Sequence, residues 1–112
     1  MKITDIVVTV EETPVKHYFH WRKGLPDSGT TNITARIEIQ TDEGVTGVAY
    51  SSHGTIVRDI FERQFKPAMI GRDPMLKEDL WERVWEFDRL EETPMYVLGL
   101  ADIALWDMTA KI

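Results

Sequence analysis

Cysteine is absent from the 112 residues, so neither a disulfide frame nor a thiolate metal site can form. Positive charge is scarce: 13 lysines and arginines face 19 aspartates and glutamates, for a net charge of −6. Phosphate binding needs a basic surface, which argues against nucleic acid as the main partner. Long apolar runs are scarce as well. The opening MKITDIVVTV sets Lys2 and Asp5 into an alternating pattern, unlike the continuous apolar stretch of a secretory signal. The closing stretch, Pro94 to Ile112, is broken by Asp102 and Asp107 and is too short for a convincing membrane span. A cytoplasmic protein with no membrane partner is therefore the expectation. There is no low-complexity segment and no internal repeat.

What remains is a globular composition, 43% hydrophobic with four Trp and four Phe, enough for one domain with a modest core. The first half reads as strands. Ile6, Val8 and Val10 alternate with Val7 and Thr9. From Asn32 to Thr41, Ile33, Ala35, Ile37 and Ile39 alternate with Thr34, Arg36, Glu38 and Gln40. Asp42-Glu43-Gly44 reads as a tight hairpin leading to a third strand, Val45 to Ser51. The second half reads as helices. Ile56, Val57, Ile60, Phe61 and Phe65 fall at helical spacing, and Pro67 is expected to end or redirect that helix. Asp73-Pro74 predicts the start of a second helix over Met75 to Leu90, and Thr93-Pro94 the start of a third. The fold class is α+β: a three-stranded antiparallel meander followed by a bundle of about three helices.

Two segments stand out. Pro14 to Thr31 is too long for an ordinary hairpin and holds aromatics, two His, Arg22 and Lys23, the composition of a binding loop. The last helix is apolar nearly all round, since Val97, Leu98, Leu100, Ala101, Ile103, Ala104, Leu105, Trp106 and Met108 cover most of its circumference. Such a helix belongs inside a larger protein. The 112 residues are thus expected to be a piece of a longer enzyme, and the isolated segment to self-associate or keep that helix mobile.

Three stretches then carry a likeness: Ile103-Ala104-Leu105-Trp106-Asp107 with Lys111, Ile70-Gly71-Arg72-Asp73-Pro74, and Thr41-Asp42-Glu43-Gly44-Val45-Thr46-Gly47. In this order and spacing, residues 1–112 resemble the N-terminal capping domain of the enolase superfamily, in the mandelate racemase/muconate lactonizing enzyme branch. The resemblance implies a following modified (β/α)-barrel, missing here, that supplies the acid–base groups and the carboxylates holding Mg2+. No K-x-K motif and no series of acidic residues at strand ends occurs in the chain, so no catalytic residue and no metal ligand is expected within it. Also implied is a pair of capping-domain loops that close over the barrel mouth and choose the substrate. They correspond to His17–Gly29 and Tyr50–Thr55. A homo-oligomer is a further expectation.

In the first loop, Phe19, His20, Trp21 and Arg22 are the substrate-binding candidates. Arg22 could fork two hydrogen bonds onto a carboxylate, while His20 and Trp21 could meet hydroxyls or a sugar face. An aromatic plug with Arg22 in solvent is the alternative. In the second loop the candidates are Tyr50 and His53, against a plain hairpin exit leading to a helix. Asp107 is expected to pair with Lys111 and Asp102 to anchor the domain junction, while Trp81, Trp85 and Trp106 sit at core spacing. His17, His20 and His53 are too scattered for a metal site. Polar loops of this kind suit a polyhydroxylated carboxylate, so an acid-sugar dehydratase is the leading expectation for the parent enzyme. A racemase, epimerase or cycloisomerase is the near alternative, and a stand-alone interaction module the distant one. The segment alone is expected to be inactive.

Overall fold

Alternating β-branched residues build a three-stranded antiparallel sheet in which β1 (Ile3–Pro14), β2 (Thr31–Thr41) and β3 (Thr46–Ser52) are neighbours in chain order. The computed structural model describes residues 1–14, 31–91 and 93–112, with the backbone alone for 87, 88, 90 and 91. Val8 pairs with Ile37, and Ile37 in turn with Ala49, so one face of the sheet is lined by buried aliphatic side chains. Thr9, Arg36 and Tyr50 form a neighbouring row on the opposite, outer face. β1 and β2 run further than the periodicity predicts, and Pro14 still pairs with Thr31. The hairpin after β2 turns as expected: Gly44 has φ +79°, and the Thr41 hydroxyl donates to the Val45 carbonyl at 2.7 Å.

Helix follows from Gly54 to Met69 as α1 (Gly54–Ile60), one wider π turn (Phe61–Phe65) and α2 (Lys66–Met69). Pro67 therefore does not end the helix. The π turn before it, in which the Lys66 N–H donates to the Phe61 carbonyl, gives the proline ring room where a tight α turn would clash. The helix stops at Gly71, whose φ is +83°. The Asp73 carboxylate then accepts the Met75 N–H at 2.9 Å, closing a turn ahead of α3 (Lys77–Glu91), which begins two residues later than expected.

Thr93 does not cap the last helix, α4 (Met95–Ala110). Its hydroxyl donates instead to the buried Gln64 side-chain oxygen at 2.7 Å, because a buried amide oxygen is costly to leave unpaired. α4 lays Val97, Leu98, Ala101, Ala104, Leu105 and Met108 into the core against the sheet and α3. Each Val, Leu or Met side chain so removed from water contributes roughly 1.5–3 kcal/mol, the alanines less. Gly47 is what lets β3 approach so closely: a methyl there would overlap the Ala104 carbonyl oxygen and lie 2.9 Å from Met108 Cβ. The far side of α4 stays wet, with Ile103 56% and Trp106 58% exposed.

Of the three tryptophans expected to pack, Trp81 is half-buried against the edge of the core, while Trp85 and Trp106 are exposed. Leu80 and Val84 take the inward line of α3, so Trp81 and Trp85, one residue further round, stack on each other at its flank with ring centroids 6.2 Å apart. Trp106 instead lies under the Lys77 ammonium, 4.6 Å from its ring centroid. Among the described residues no helix is long and apolar enough to cross a membrane.

Candidate functional site

Strand register sets where the candidates lie. Pro14 pairs with Thr31, and Ser52 pairs with Thr34 three positions along, so the 15–30 connection and the β3–α1 junction leave from the same end of the sheet. Phe19, His20, Trp21 and Arg22, the first-loop candidates, lie outside the described residues. The second segment is tighter than a loop. Tyr50, Ser51 and Ser52 belong to β3, Gly54 and Thr55 to α1, and only His53 stands between.

So short a junction has a backbone cause. His53 adopts the left-handed conformation, φ 58° and ψ 43°, and its carbonyl accepts the Val57 N–H at 3.1 Å to open the helix. Gly54 is buried against β2, where an added Cβ would come within 2.7 Å of the Thr34 carbonyl oxygen. Glycine here lets the helix begin directly on the sheet.

The two described candidates point to different surroundings. Tyr50, 71% exposed, stands on the outer face opposite Arg36, whose guanidinium pairs with Glu38 at 2.9 Å. His53 stands at the sheet end and borders an open depression of about 370 Å³ lined by Thr31, Asn32, Ile33, Ser52, Thr55 and Ile56. Hydroxyls, an amide and an imidazole share that lining with Ile33 and Ile56, and these polar groups can donate to and accept from neutral oxygens. Tyr96, which the sequence reading passed over, places its ring centroid 5.9 Å from that of His53 with the planes tilted by 52°. The available clue was directional: the first turn of a helix running antiparallel to β3 must lie beside the end of that strand.

Asp107, one of the two acidic residues of α4, ties that helix to the sheet. Asp107 accepts the Val48 N–H at 2.8 Å and pairs with Lys111 at 2.7 Å, as the i,i+4 spacing predicts. The Lys111 bond first, and the Val48 N–H second, hold its carboxyl below the usual carboxylate range. Lys111 also donates to the Thr46 carbonyl at 3.0 Å. Asp102 borders the α3–α4 seam beside Trp81 and Leu105. Among the described residues no three His, Asp or Glu side chains converge as a metal site.

Residues 4–112 match the family described as mandelate racemase / muconate lactonizing enzyme, N-terminal domain. A D-galactonate dehydratase family member, RspA of Halomonas elongata, is 35% identical over 81 residues, covering 68% of this chain and 20% of that protein. A D-mannonate dehydratase of Novosphingobium aromaticivorans is 31% identical over 81 residues, again 68% of this chain and 20% of that protein. Among solved structures, an L-talarate dehydratase of a Polaromonas species, complexed with Mg and L-glucarate, superposes with a TM-score of 0.79 at 26% identity. That superposition covers 98% of this chain and 32% of the other. The chain thus spans about a fifth of the length of these curated relatives. With the meander, the helices and the sequence match in agreement, the chain belongs to the N-terminal domain family of the mandelate racemase/muconate lactonizing enzymes, within the enolase superfamily.

Proposed function

We propose that this chain is the substrate-selecting lid of a larger enzyme that removes the proton α to a carboxylate, with an acid sugar as substrate and dehydration as reaction. The observation that carries the reading is that Pro14 and Thr31, which flank residues 15–30, lie at the same end of the sheet as the His53 junction. Binding residues held at the rim of a rigid scaffold are how such domains select substrates. The names of the relatives, D-galactonate family, D-mannonate and L-talarate dehydratases, favour acid sugars among carboxylates.

In this reading His53 and Tyr50 offer hydrogen bonds to substrate hydroxyls, and Phe19, His20, Trp21 and Arg22 complete the recognition and keep water out. The Mg2+ held by the L-talarate dehydratase structure supports assigning the metal to the remaining length of the parent, and no step of this chain runs through it. Where bound, magnesium would stabilise the enediolate formed when the α-proton leaves. The exposed side of α4, with Ile103 and Trp106, is the surface on which the remaining barrel would sit. The segment by itself is inactive, and the parent is a cytoplasmic homo-oligomer. A racemase, epimerase or cycloisomerase on the same scaffold is the second reading.

The test is to express the chain together with the coding sequence that follows residue 112 and to screen acid sugars. Dehydration of one of them to a 2-keto-3-deoxy acid, lost on chelation of magnesium, is the expected result. Turnover of aryl hydroxyacids or dipeptides alone would refute the dehydratase. A reading frame that stops at Ile112 would favour an interaction module that docks through α4.

A further inference from the structure

We propose that Tyr96 is a positioning residue for His53, fixing where the imidazole stands at the rim of the candidate site. The proposal rests on the lid reading above and deepens it by adding a residue from a different element. His53 is the only non-glycine with positive φ among the described residues, and no side-chain hydrogen bond caps α1 there. Such a conformation aims the side chain away from the course of strand and helix alike. What meets the imidazole is the Tyr96 ring, at a centroid separation and tilt within the favourable range for aromatic pairs.

Tyr96 is fit for this because its own helix cannot slide. The close approach at Gly47 and the Asp107 bond to Val48 fix α4 along β3, and Tyr96 extends from the first turn of that helix. Tyr96 as a residue is 45% exposed, so it adds little to the core. A partly exposed ring on a fixed helix, set against a residue in a strained backbone, is placed to orient that residue. The ring, rather than the phenol hydroxyl, makes the contact.

Two measurements test this. In the longer protein expressed for the acid-sugar screen, the His53 ring-proton resonances, assigned with His53→Gln, should move towards those of a free imidazole in Tyr96→Leu and stay in place in Tyr96→Phe. In the active form identified by the acid-sugar screen, Tyr96→Leu should raise KM about two- to tenfold, the worth of one aromatic pair, with kcat retained. Tyr96→Phe should behave as the unmodified chain. Unmoved His53 resonances in Tyr96→Leu would overturn the proposal, as would a Tyr96→Phe variant that behaves like Tyr96→Leu. An unchanged KM in Tyr96→Leu beside a raised KM in His53→Gln would overturn it and leave the lid reading standing. An unchanged KM in His53→Gln would instead remove His53 from the lid, and Tyr96 with it.

Discussion

The two ends of the sheet are built on different terms. At the hairpin end, Ile3 exchanges two bonds of 2.8 Å with Gly71 and Arg72, and the Lys2 N–H reaches the Asp42 carboxylate at 2.9 Å. Asp107 and Lys111 tie α4 to the neighbouring stretch of β3. At the other end, Tyr50 stands in solvent and His53 occupies a strained backbone beside the Tyr96 ring. The first end is tied by several backbone and carboxylate bonds between residues far apart in sequence; at the other, the Thr34 hydroxyl reaches the Glu11 carbonyl at 3.4 Å and the Ser51 hydroxyl only the adjacent Ser52 carbonyl. Stability and recognition can therefore be altered separately, and substitutions at the two ends should have different signatures.

The largest effect should come from the pinned side. Gly47→Ala drives a methyl into the Ala104 carbonyl, and α4 must lift from β3 to admit it. A loss of about 3 kcal/mol in urea unfolding is expected, at the upper end for overpacking. At the open end, His53→Val puts a β-branched residue into the left-handed region and should cost about 1–2 kcal/mol, whereas His53→Gly should be nearly neutral. If the two variants unfold alike, backbone strain at that junction is not what separates the ends.

Asp107→Asn should lower the melting temperature, and the effect should depend on pH. Lys111 and Val48 depress the Asp107 carboxyl in the fold, as Lys66 first and then the Ile6 N–H depress that of Asp5. The unfolded chain thus binds these protons more readily, and the stabilisation present at neutral pH fades as pH falls below the ordinary carboxylate range. A double Asp5→Asn, Asp107→Asn variant should be less stable at pH 7 and show a flatter loss of stability between pH ~5 and ~2. An unchanged acid slope would dismiss these clamps. The smallest effect on stability should be at the wet side of α4, where Trp106→Ala should cost no more than about 1 kcal/mol, mostly the Lys77 contact. Ile103→Glu with Trp106→Glu should reduce binding of a hydrophobic dye and any self-association; no change in either would show that this side is not adhesive.

Much of this architecture could be read in advance. Strict alternation in Asn32–Thr41 specifies which residues face the core, because a one-residue slip would turn every Ile outward. The Asp107–Lys111 pair follows from helical spacing, and three short stretches pointed to the family that residues 4–112 match. Contacts across the sequence were not legible. Nothing local reveals that the Thr93 hydroxyl serves Gln64, or that Asp107 reaches back to Val48. Pro67 misled because propensity assumes an α turn before it, and the chain supplies a π turn. The tryptophans misled because hydrophobic spacing gives a stripe without saying which edge of it is buried. Of the candidate site, Tyr50 and His53 were named from the family resemblance and the side chains that segment offers, but their separation onto a face and an end needed the strand register. Tyr96 needed the direction of α4.

The clamp on β3 also decides how this sheet can meet other chains. An outermost strand normally presents open amides and carbonyls that a foreign segment can zip onto. Here Val48 spends its outward amide on Asp107, and Thr46 its outward carbonyl on Lys111. A fourth strand would have to displace both side chains before it could add along Thr46–Val48, so that stretch of the border is guarded by two residues of a neighbouring helix.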